Sequence, residues 1–458
     1  MELGDTGSLD RTVAIFPIVL LGDEVLLAIF SFYLEEAYKV DSADRLEAWR
    51  ILAHVCQRWR RIVFASLRRL NLQLVCANTT PVRQMLDIWP TLPIVVRDRD
   101  LDSDLWLDMY DVDNIMAALE HRDRGSQIQL ESVPHIFFER NSVMMESFPA
   151  LTHLFLSREH ISFPVLPDSF LGGSAPRLRE FAFDGVPFPA LPKLLLSTND
   201  LVELSLWHIP HPGYISPDAM LTCLSSLTRL EVFFLCFNSP LYFPDQSRRR
   251  PPSLTRVNLR ALLKFRIHGR NEYIEDLVGG INSPSLFHVH VSSFYFDRVD
   301  FPQLGQFVDR IESFKALHQA RVRLCEDAAH IKFANTSYTA TLEFRIPYLD
   351  ADLQPPSLVE LCRSFDSPIG PSVERLEIVV DDPRPFEWDD DIESDVWFGL
   401  LQHFTSVKDL CLPEGLALLV LRAFQELIEK KKHNRCVTCA AEHLRTRAPF
   451  IRCCLCGH

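Results

Sequence analysis

The sequence has little glycine and no excess of positive charge. It holds 16 glycines against 30 prolines in 458 residues, so its turns depend on proline, which suits short and stiff connections. Its formal net charge is −14, which argues against non-specific binding of DNA, RNA or anionic lipid across the whole surface. Hydrophobic residues make up 47% of the chain, a globular composition that excludes general disorder.

A long apolar run is also missing. The most apolar stretch, residues 13–34, is interrupted by Asp23 and Glu24 before the roughly 20 residues that a membrane span needs. The first residues, MELGDTGSLDR, are acidic and lack the basic region with which a signal peptide begins. Both absences predict an intracellular protein, in the cytoplasm, the nucleus or both, that has no membrane partner.

Motifs that carry catalysis are absent as well. The sequence contains no G-x-x-x-x-G-K-[ST] loop, no G-x-S-x-G nucleophile elbow and no H-E-x-x-H zinc motif. Residues 5–8, Asp-Thr-Gly-Ser, match an aspartic-protease motif, but that chemistry needs a second carboxylate on a second copy, which the sequence lacks. We therefore predict a non-enzymatic protein without a catalytic residue or a cofactor.

Apolar residues at helical spacing mark the N-terminal part of the chain. One stripe consists of Leu26, Ile29, Phe30 and Tyr33, and Val25, Ile29 and Phe32 form a second stripe that overlaps it. A second periodic run extends from Trp49 to Val63. Because the first helix is apolar on most sides, it needs neighbours on more than one face. The pattern predicts a small all-helical domain over 17–66, preceded by a flexible tail over 1–16.

From residue 67 onward the period changes to a repeated L-x-x-L-x-L pattern. Its clearest copies are Leu151-Leu154-Leu156, Leu178-Phe181-Phe183, Leu201-Leu204-Leu206, Leu227-Leu230-Val232 and Leu254-Val257-Leu259. Looser copies begin at Leu286, Thr339, Val373 and Val407. The clear copies are 23 to 27 residues apart, which is typical of leucine-rich repeats. They predict an irregular α/β solenoid over 67–425, in which stacked repeats form a curved parallel sheet with helices on its convex side.

Two stretches near the N-terminus carry a resemblance to a known family. Two segments resemble an F-box: Leu21-Gly22-Asp23-Glu24-Val25-Leu26-x-x-Ile29-Phe30 and Leu52-x-x-Val55-Cys56-x-x-Trp59-Arg60-x-Ile62. Gly22 stands where that motif normally has proline. Together with the repeats, residues 20–425 resemble the F-box/leucine-rich-repeat proteins that are expanded in mushroom-forming fungi. The resemblance implies an α+β fold, in which a helical F-box precedes the repeat solenoid.

The resemblance also implies a function. An F-box of this kind binds the Skp-type adaptor of an SCF-type cullin–RING ubiquitin ligase and, through it, the cullin scaffold, while the repeats bind a protein substrate. The predicted adaptor-binding residues are Leu21, Val25, Leu26, Ile29, Phe30, Leu52, Val55 and Trp59. The alternative is a protein-interaction scaffold outside any ligase, in which the N-terminal helices cap the solenoid.

Three further patterns remain. Residues 381–395 hold eight acids and one base, which indicates a solvated acidic loop or a site for a basic segment. His288 and His290 share a strand face but lack a nearby third ligand, so we predict no metal there. The basic tail, 426–458, contains Cys436, Cys439, Cys453 and Cys456 at a spacing similar to that of a zinc ribbon. This tail leaves open the alternative that the protein is a zinc-dependent nucleic-acid binder. We expect neither a bound metal nor a nucleic-acid partner.

Overall fold

The structure is a computed structural model, and within its described residues the chain is a mixed α/β protein with twelve α-helices and a large, mostly parallel sheet. It describes residues 18–38, 48–77, 81–89, 91–97, 112–131, 143–157, 164–240, 256–294, 301–325, 328–347, 354–364, 369–381, 394–413 and 452–455. The chain divides into two compact units, residues 1–126 and 127–458. The domain boundaries expected at residues 16, 66 and 425 stay predictions.

Unit 1 contains the helices of the region that resembles an F-box. Its helices are α1 (Asp23–Tyr38), α2 (Trp49–Val55), α3 (Gln57–Ala65), α4 (Val82–Ile88) and α5 (Val112–Leu119). Two parallel strands, β1 (Leu74–Cys76) and β2 (Ile94–Arg97), pair with Leu74 opposite Ile94. The all-helical stretch therefore corresponds to α1–α3, and two strands lie in the same compact unit.

The start of α1 shows how the chain begins a helix directly after Gly22. The carbonyl of Gly22 accepts hydrogen bonds from the N–H groups of Val25 and Leu26, each at 3.1 Å. Asp23 and Glu24 occupy the first turn, where negative charge interacts favourably with the helix dipole. A Cβ atom at residue 22 would meet nothing within 4 Å, so the missing side chain leaves no packing defect.

Aromatic contacts hold unit 1 together. The rings of Phe30 on α1 and Trp59 on α3 lie 4.7 Å apart. Trp49 is fully buried, its ring packs 5.1 Å from that of Trp89, and its Nε1–H donates to the carbonyl of Gln73 at 2.8 Å. Because buried indole N–H groups need an acceptor, this hydrogen bond fixes the start of α2 against the chain that leads into β1.

Unit 2 is built around the sheet. Its strands, with β3 beginning at the boundary, are β3 (Gly125–Leu130), β4 (His153–Ser157), β5 (Glu180–Asp184), β6 (Glu203–Ile209), β7 (Val232–Phe237), β8 (Val257–Asn258), β9 (Lys264–Gly269), β10 (Ile281–Asn282), β11 (His288–Ser293), β12 (Gln319–Leu324), β13 (Ala328–Ala334), β14 (Thr341–Pro347), β15 (Arg375–Val380), β16 (Asp409–Leu412) and β17 (Arg452–Leu455). From β3 their order is β3-β4-β5-β6-β7-β9-β11-β14-β13-β12-β15-β16-β17, while β8 and β10 form a separate pair. All neighbouring strands along this order are parallel except β14–β13 and β13–β12.

Helices cover the apolar side of this sheet. They are α6 (Leu191–Leu195), α7 (Pro217–Ser226), α8 (Asn271–Gly279), α9 (Pro302–Asp309), α10 (Gln354–Ser364), α11 (Ile369–Ser372) and α12 (Ser394–Leu401). The stripes Ile274-Leu277-Val278-Ile281 and Leu304-Phe307-Val308-Ile311 are buried throughout, as their spacing predicts. Helix α8 packs on β9, and α10 packs on β13 and β14.

The repeat pattern places most of the strands correctly. Leu154, Phe181 and Leu204 are register partners on β4, β5 and β6, and all three are buried. The copies that begin at Leu286, Thr339, Val373 and Val407 likewise contribute buried residues of β11, β14, β15 and β16. Consecutive side chains of a strand point to opposite faces, so these apolar pairs form the covered side of the sheet.

Two copies of the pattern were assigned to the wrong residues. On β7 the partners of Leu204 and Leu206 are Phe233 and Leu235, so Val232 lies on the other face. On β9 the corresponding residues are Phe265 and Ile267, whereas Leu254 lies outside the described residues and Val257 belongs to the separate β8–β10 pair. The reason is that apolar residues occupy both faces of β7, which lets L-x-x-L-x-L fit in more than one frame.

Within the described residues, no helix is both long and apolar enough to cross a bilayer.

Candidate functional site

The structure divides the eight predicted adaptor-binding residues by exposure. Val25, Ile29 and Val55 are exposed, and Leu21 and Trp59 are partly exposed. Leu26, Phe30 and Leu52 are instead buried, with at most 6% of each side chain accessible. A buried side chain offers no surface to a partner, so these three residues support the helices from inside. Sequence spacing does not separate the buried residues of α1 from the exposed ones, because this helix is apolar on both its buried and its exposed side.

Exposed apolar side chains on α1 form what we call the α1 stripe, consisting of Val25, Ile29 and Phe32. Their exposed fractions are 49%, 44% and 66%, and their spacing of four and three residues places them on one side of the helix. Phe32 belongs to the second helical stripe seen in the sequence, although it was not among the predicted binding residues. Several large apolar side chains exposed together on one helix are typical of a protein-binding surface.

Helix α2 carries a shorter pair of the same kind. Ile51 is 62% exposed and Val55 is 56% exposed, one helical turn apart. The helix α3 that follows is tied to the start of α1, since Arg58 pairs with Asp23 at 2.7 Å and donates to the carbonyl of Leu21 at 2.5 Å. The exposed apolar residues thus lie on helices whose positions are set by buried aromatic contacts and by this ion pair.

The side of the sheet opposite the described helices is the second candidate site in unit 2. Its strands alternate between buried apolar residues and more accessible, mainly polar ones, so one face carries most of the charge. On β4–β6 this face is acidic, with Glu180 opposite Glu203 and with Asp184 four residues further along β5. His153 contacts Glu180 at 3.2 Å, and the pKa of Glu180 is lowered, first by this hydrogen bond.

Aromatic rings separate the acidic strands from the basic ones. Trp207 on β6 and Phe234 on β7 are half-buried, and their ring centres lie 5.3 Å apart. The guanidinium of Arg266 on β9 lies 5.0 Å from the centre of the Trp207 ring, within the range of a cation–π contact. The face therefore changes from acidic to aromatic to basic along the strand order.

We call the basic part the cationic face. It consists of Lys264, Arg266 and His268 on β9, His288, His290 and Ser292 on β11, Thr341, Glu343 and Arg345 on β14, His330 and Lys332 on β13, and Arg321 and Arg323 on β12. Six of these residues are Lys or Arg and one is an acid. Polar and apolar residues alternate in Lys264-Phe-Arg-Ile-His268. This alternation is the sequence signal that could have identified the site, although no binding site was predicted from it.

At the centre of the cationic face, Glu343 lies between two histidines. Its Oε1 is 3.7 Å from Nδ1 of His290 and 3.5 Å from Nδ1 of His330. These imidazoles, His290 first, hold the pKa of Glu343 well below its usual range. His290 is only 8% exposed, so it is a buried partner of Glu343. His288 shares its face, as predicted, and among the described residues no group of three or more potential ligands could hold a metal ion.

Burial and neighbouring cations act on the histidines of this face. The pKa of His268 falls to about 4, chiefly because the imidazole is buried and secondarily because Arg345, His290 and Arg266 lie nearby. The pKa of His288 is lowered as well, first by burial and then by His290. Both shifts favour neutral imidazoles in a region whose permanent charge comes from Lys and Arg.

A serine, an aspartate and a histidine come together at the acidic end. Asp184 contacts Nδ1 of His208 at 2.6 Å and accepts from the Ser157 hydroxyl at 3.4 Å. The hydroxyl therefore binds the carboxylate and not the imidazole, whereas a nucleophilic serine needs the histidine as its base. His208 adopts a left-handed φ of 47° beside the irregular register between β6 and β7. We assign this group a structural role at the strand end.

A cavity of about 200 Å³ lies on the covered side of the sheet. Phe333, Phe344 and Leu361 line it together with His403 and Phe404. Burial lowers the pKa of His403, and its Nε2 has no hydrogen-bond partner among the described residues. The cavity is mainly apolar and separate from the charged face, so it does not contribute to either candidate binding surface.

Several sequence predictions fall outside the described residues. These are the Asp-Thr-Gly-Ser match at 5–8, the acidic run from residue 382 to 393, and Cys436, Cys439 and Cys456. Cys453 lies in β17, whose backbone pairs in parallel with β16. The first acid of the run, Asp381, is described, and its Oδ2 contacts Nε of Arg323 at 2.6 Å.

A scan against protein-family models, a search of curated proteins and a search of solved structures each find no match to this chain. What the fold defines is a class: a mixed α/β protein with a large, mostly parallel sheet. Any functional argument must therefore start from the two surfaces, the exposed apolar residues of unit 1 and the charged sheet face of unit 2.

Proposed function

We propose that this chain is a non-catalytic substrate-recognition subunit of an SCF-type cullin–RING ubiquitin ligase. In this role the helices of unit 1 bind a Skp-type adaptor, which connects the chain to a cullin, and the sheet of unit 2 binds a protein substrate. Other subunits carry out ubiquitin transfer, in the cytoplasm or the nucleus. The chain raises the local concentration of the substrate beside them.

One observation carries the proposal: Val25, Ile29 and Phe32 are exposed on a helix whose opposite side is buried. Leu26 and Phe30 are fully buried and anchor α1, which leaves the α1 stripe available to a partner. Apolar residues spaced by three and four positions suit a helix that packs into a hydrophobic groove. The resemblance of this segment to an F-box supports a Skp-type adaptor as the partner that has such a groove.

The test is binding of the purified full-length chain to a Skp-type adaptor. We expect wild-type protein to bind and Ile29→Glu to weaken binding at least about tenfold, because a central apolar contact is replaced by a charge. Ile88→Glu is the matched control, since Ile88 is a 72% exposed isoleucine on helix α4 of the same unit. Its affinity should stay within about twofold of wild type.

Circular dichroism and thermal unfolding establish that both variants are folded. Equal losses in Ile29→Glu and Ile88→Glu would mean that the α1 stripe is not the contact. If the wild-type chain fails to bind any Skp-type adaptor, the ligase role is rejected and the alternative, a protein-interaction scaffold outside a ligase, is supported.

A further inference from the structure

The charge of the cationic face has the opposite sign to the net charge of the whole chain. The chain carries a net charge of −14, yet the cationic face places six Lys and Arg residues against Glu343, while Glu377 and Asp381 at its edge pair with two of the arginines. Three acids on strands β5 and β6 of the same face show that positive charge is not general to this side of the sheet. The separation defines one region of unit 2 that attracts anionic groups.

The cationic face is wide. It extends over five strands, from Lys264 and Arg266 on β9 to Arg321 and Arg323 on β12. Neighbouring strands are about 4.8 Å apart, so the face measures about 19 Å across, which about six residues of extended chain would cover. Its cations are distributed along that width, and a single compact anion could contact only a fraction of them.

Carboxylates already pair with one end of this face. Glu377 on β15 accepts from Nη2 of Arg321 at 2.8 Å, and Asp381 contacts Nε of Arg323 at 2.6 Å. On the opposite end, Lys264 is exposed and Arg266 is half-buried against Trp207. These contacts show that carboxylates fit the guanidinium groups of the face. Lys264 and Arg266 on β9 are further cations that could pair with carboxylates.

The centre of the cationic face is largely buried, so the residues towards its two ends supply most of the accessible charge. Burial, and secondarily the nearby cations, lower the pKa of His268 to about 4. Ser292, which lies between His268 and Arg345 in register, is 3% exposed and offers little surface to a partner.

We infer that the cationic face binds a carboxylate-rich segment of another protein, an extended stretch of Asp and Glu residues that crosses strands β9 to β12. This inference rests on the proposed function, because it names the class of substrate that the sheet would hold. A single phosphate fits less well, since the cations are dispersed and Glu343 would repel a dianion. The acids on β5 and β6 and the net charge of −14 disfavour nucleic acid.

The test measures binding of labelled peptides to the full-length chain by fluorescence anisotropy. The probe is a peptide of about ten residues with Glu at alternate positions, and the control peptide has Gln in place of each Glu. We expect the Glu peptide to bind and the Gln peptide to bind at least about tenfold more weakly. Lys264→Glu/Lys332→Glu should also reduce affinity for the Glu peptide at least about tenfold.

A matched variant separates the face from total charge. Arg177→Glu/Lys193→Glu reverses two exposed basic residues of unit 2 that lie outside the sheet strands, and it should bind the Glu peptide within about twofold of wild type. Equal losses in both double variants overturn the site. Lys264→Ala/Lys332→Ala, a milder change, should give an intermediate loss if the reversed variant is poorly folded.

Competitors and a parallel assay distinguish the remaining outcomes. A peptide with one phosphoserine and no Glu, or single-stranded DNA of equal charge, overturns the inference if it binds more tightly than the Glu peptide. Adaptor binding is measured on the same preparations. Loss of Glu-peptide binding with adaptor binding intact rejects the inference alone, whereas peptide binding without adaptor binding rejects the ligase role alone.

Discussion

The exposed side of helix α1 and the exposed side of the sheet differ in the force that would attract a partner. On α1 the accessible residues Val25, Ile29 and Phe32 are apolar, whereas on strands β9 to β12 they are mostly Lys, Arg and His. Association through the first surface gains from removing apolar area from water, which salt changes little. Association through the second gains from charge, which salt screens. One chain therefore offers two binding surfaces that can be separated by solution conditions.

The largest expected effect tests the distinction between buried and exposed residues on α1. Phe30→Ala should lower the free energy of unfolding by about 3–5 kcal/mol, because Phe30 is fully buried against Trp59. Ile29→Ala, its neighbour in the chain, should cost less than about 1 kcal/mol, since Ile29 is 44% exposed. Urea unfolding monitored by circular dichroism measures both, and similar losses would place Ile29 in the core.

The next effect concerns protonation of the cationic face. His268 has a folded-state pKa of about 4 against an ordinary 6.5, so the unfolded chain takes up the proton first as pH falls. Its contribution to stability is therefore present above pH 6.5 and is lost between pH 6.5 and 4, by about 3 kcal/mol.

His268→Gln should remove that part of the pH dependence, which urea unfolding at a series of pH values would detect. The pKa of Glu343 is lowered in the folded chain, so its contribution is lost only below its ordinary pKa of 4.5 and remains in the variant. An unchanged slope between pH 6.5 and 4 in His268→Gln would show that this imidazole is accessible to protons in the folded state.

Salt should separate the two binding surfaces. Raising NaCl from about 0.05 M to about 0.5 M should weaken Glu-peptide binding about tenfold, because the Debye length shortens below the spacing of the charges. Adaptor binding through the α1 stripe should change less than about threefold over the same range. Anisotropy titrations of both partners on one preparation make the comparison, which fails if the two affinities respond alike.

The smallest effect is expected away from both surfaces. Arg229 and Asp200 form an ion pair at 2.9 Å whose side chains are 59% and 52% exposed. Arg229→Ala should change the free energy of unfolding by about 0.5 kcal/mol or less, because solvent screens such pairs. It should also leave Glu-peptide binding unchanged. A larger effect on binding would show that the anionic ligand reaches beyond the cationic face.

Much of the strand pattern of unit 2 could be predicted from its sequence. Where one face is apolar and the other polar, as around Leu154 and Leu156 on β4, the L-x-x-L-x-L pattern identifies the buried residues. On β7, Val232 and Phe234 make the accessible face apolar too, and the predicted frame was wrong by three residues. Periodicity identifies a face only when the two faces differ in composition.

The antiparallel strands β12 and β13 were missed for another reason. Ala320, Val322 and Leu324 alternate with arginines, which is an ordinary strand pattern. They do not match the L-x-x-L-x-L spacing of the repeats. On α1 the limit was similar, because an apolar residue every three or four positions describes both Phe30 in the interior and Ile29 on the surface. Burial depends on tertiary neighbours that local spacing does not contain.

The position of β14 between β11 and β13 has a consequence for synthesis on the ribosome. Strands β4 to β6 each pair with the next strand in the chain, but β11 pairs with β14, which begins at Thr341 and follows two other strands. While the chain is being made, one edge of β11 therefore stays unpaired until residues 341–347 have emerged. Chains that end near residue 325 would keep that edge open, and unpaired edges promote aggregation.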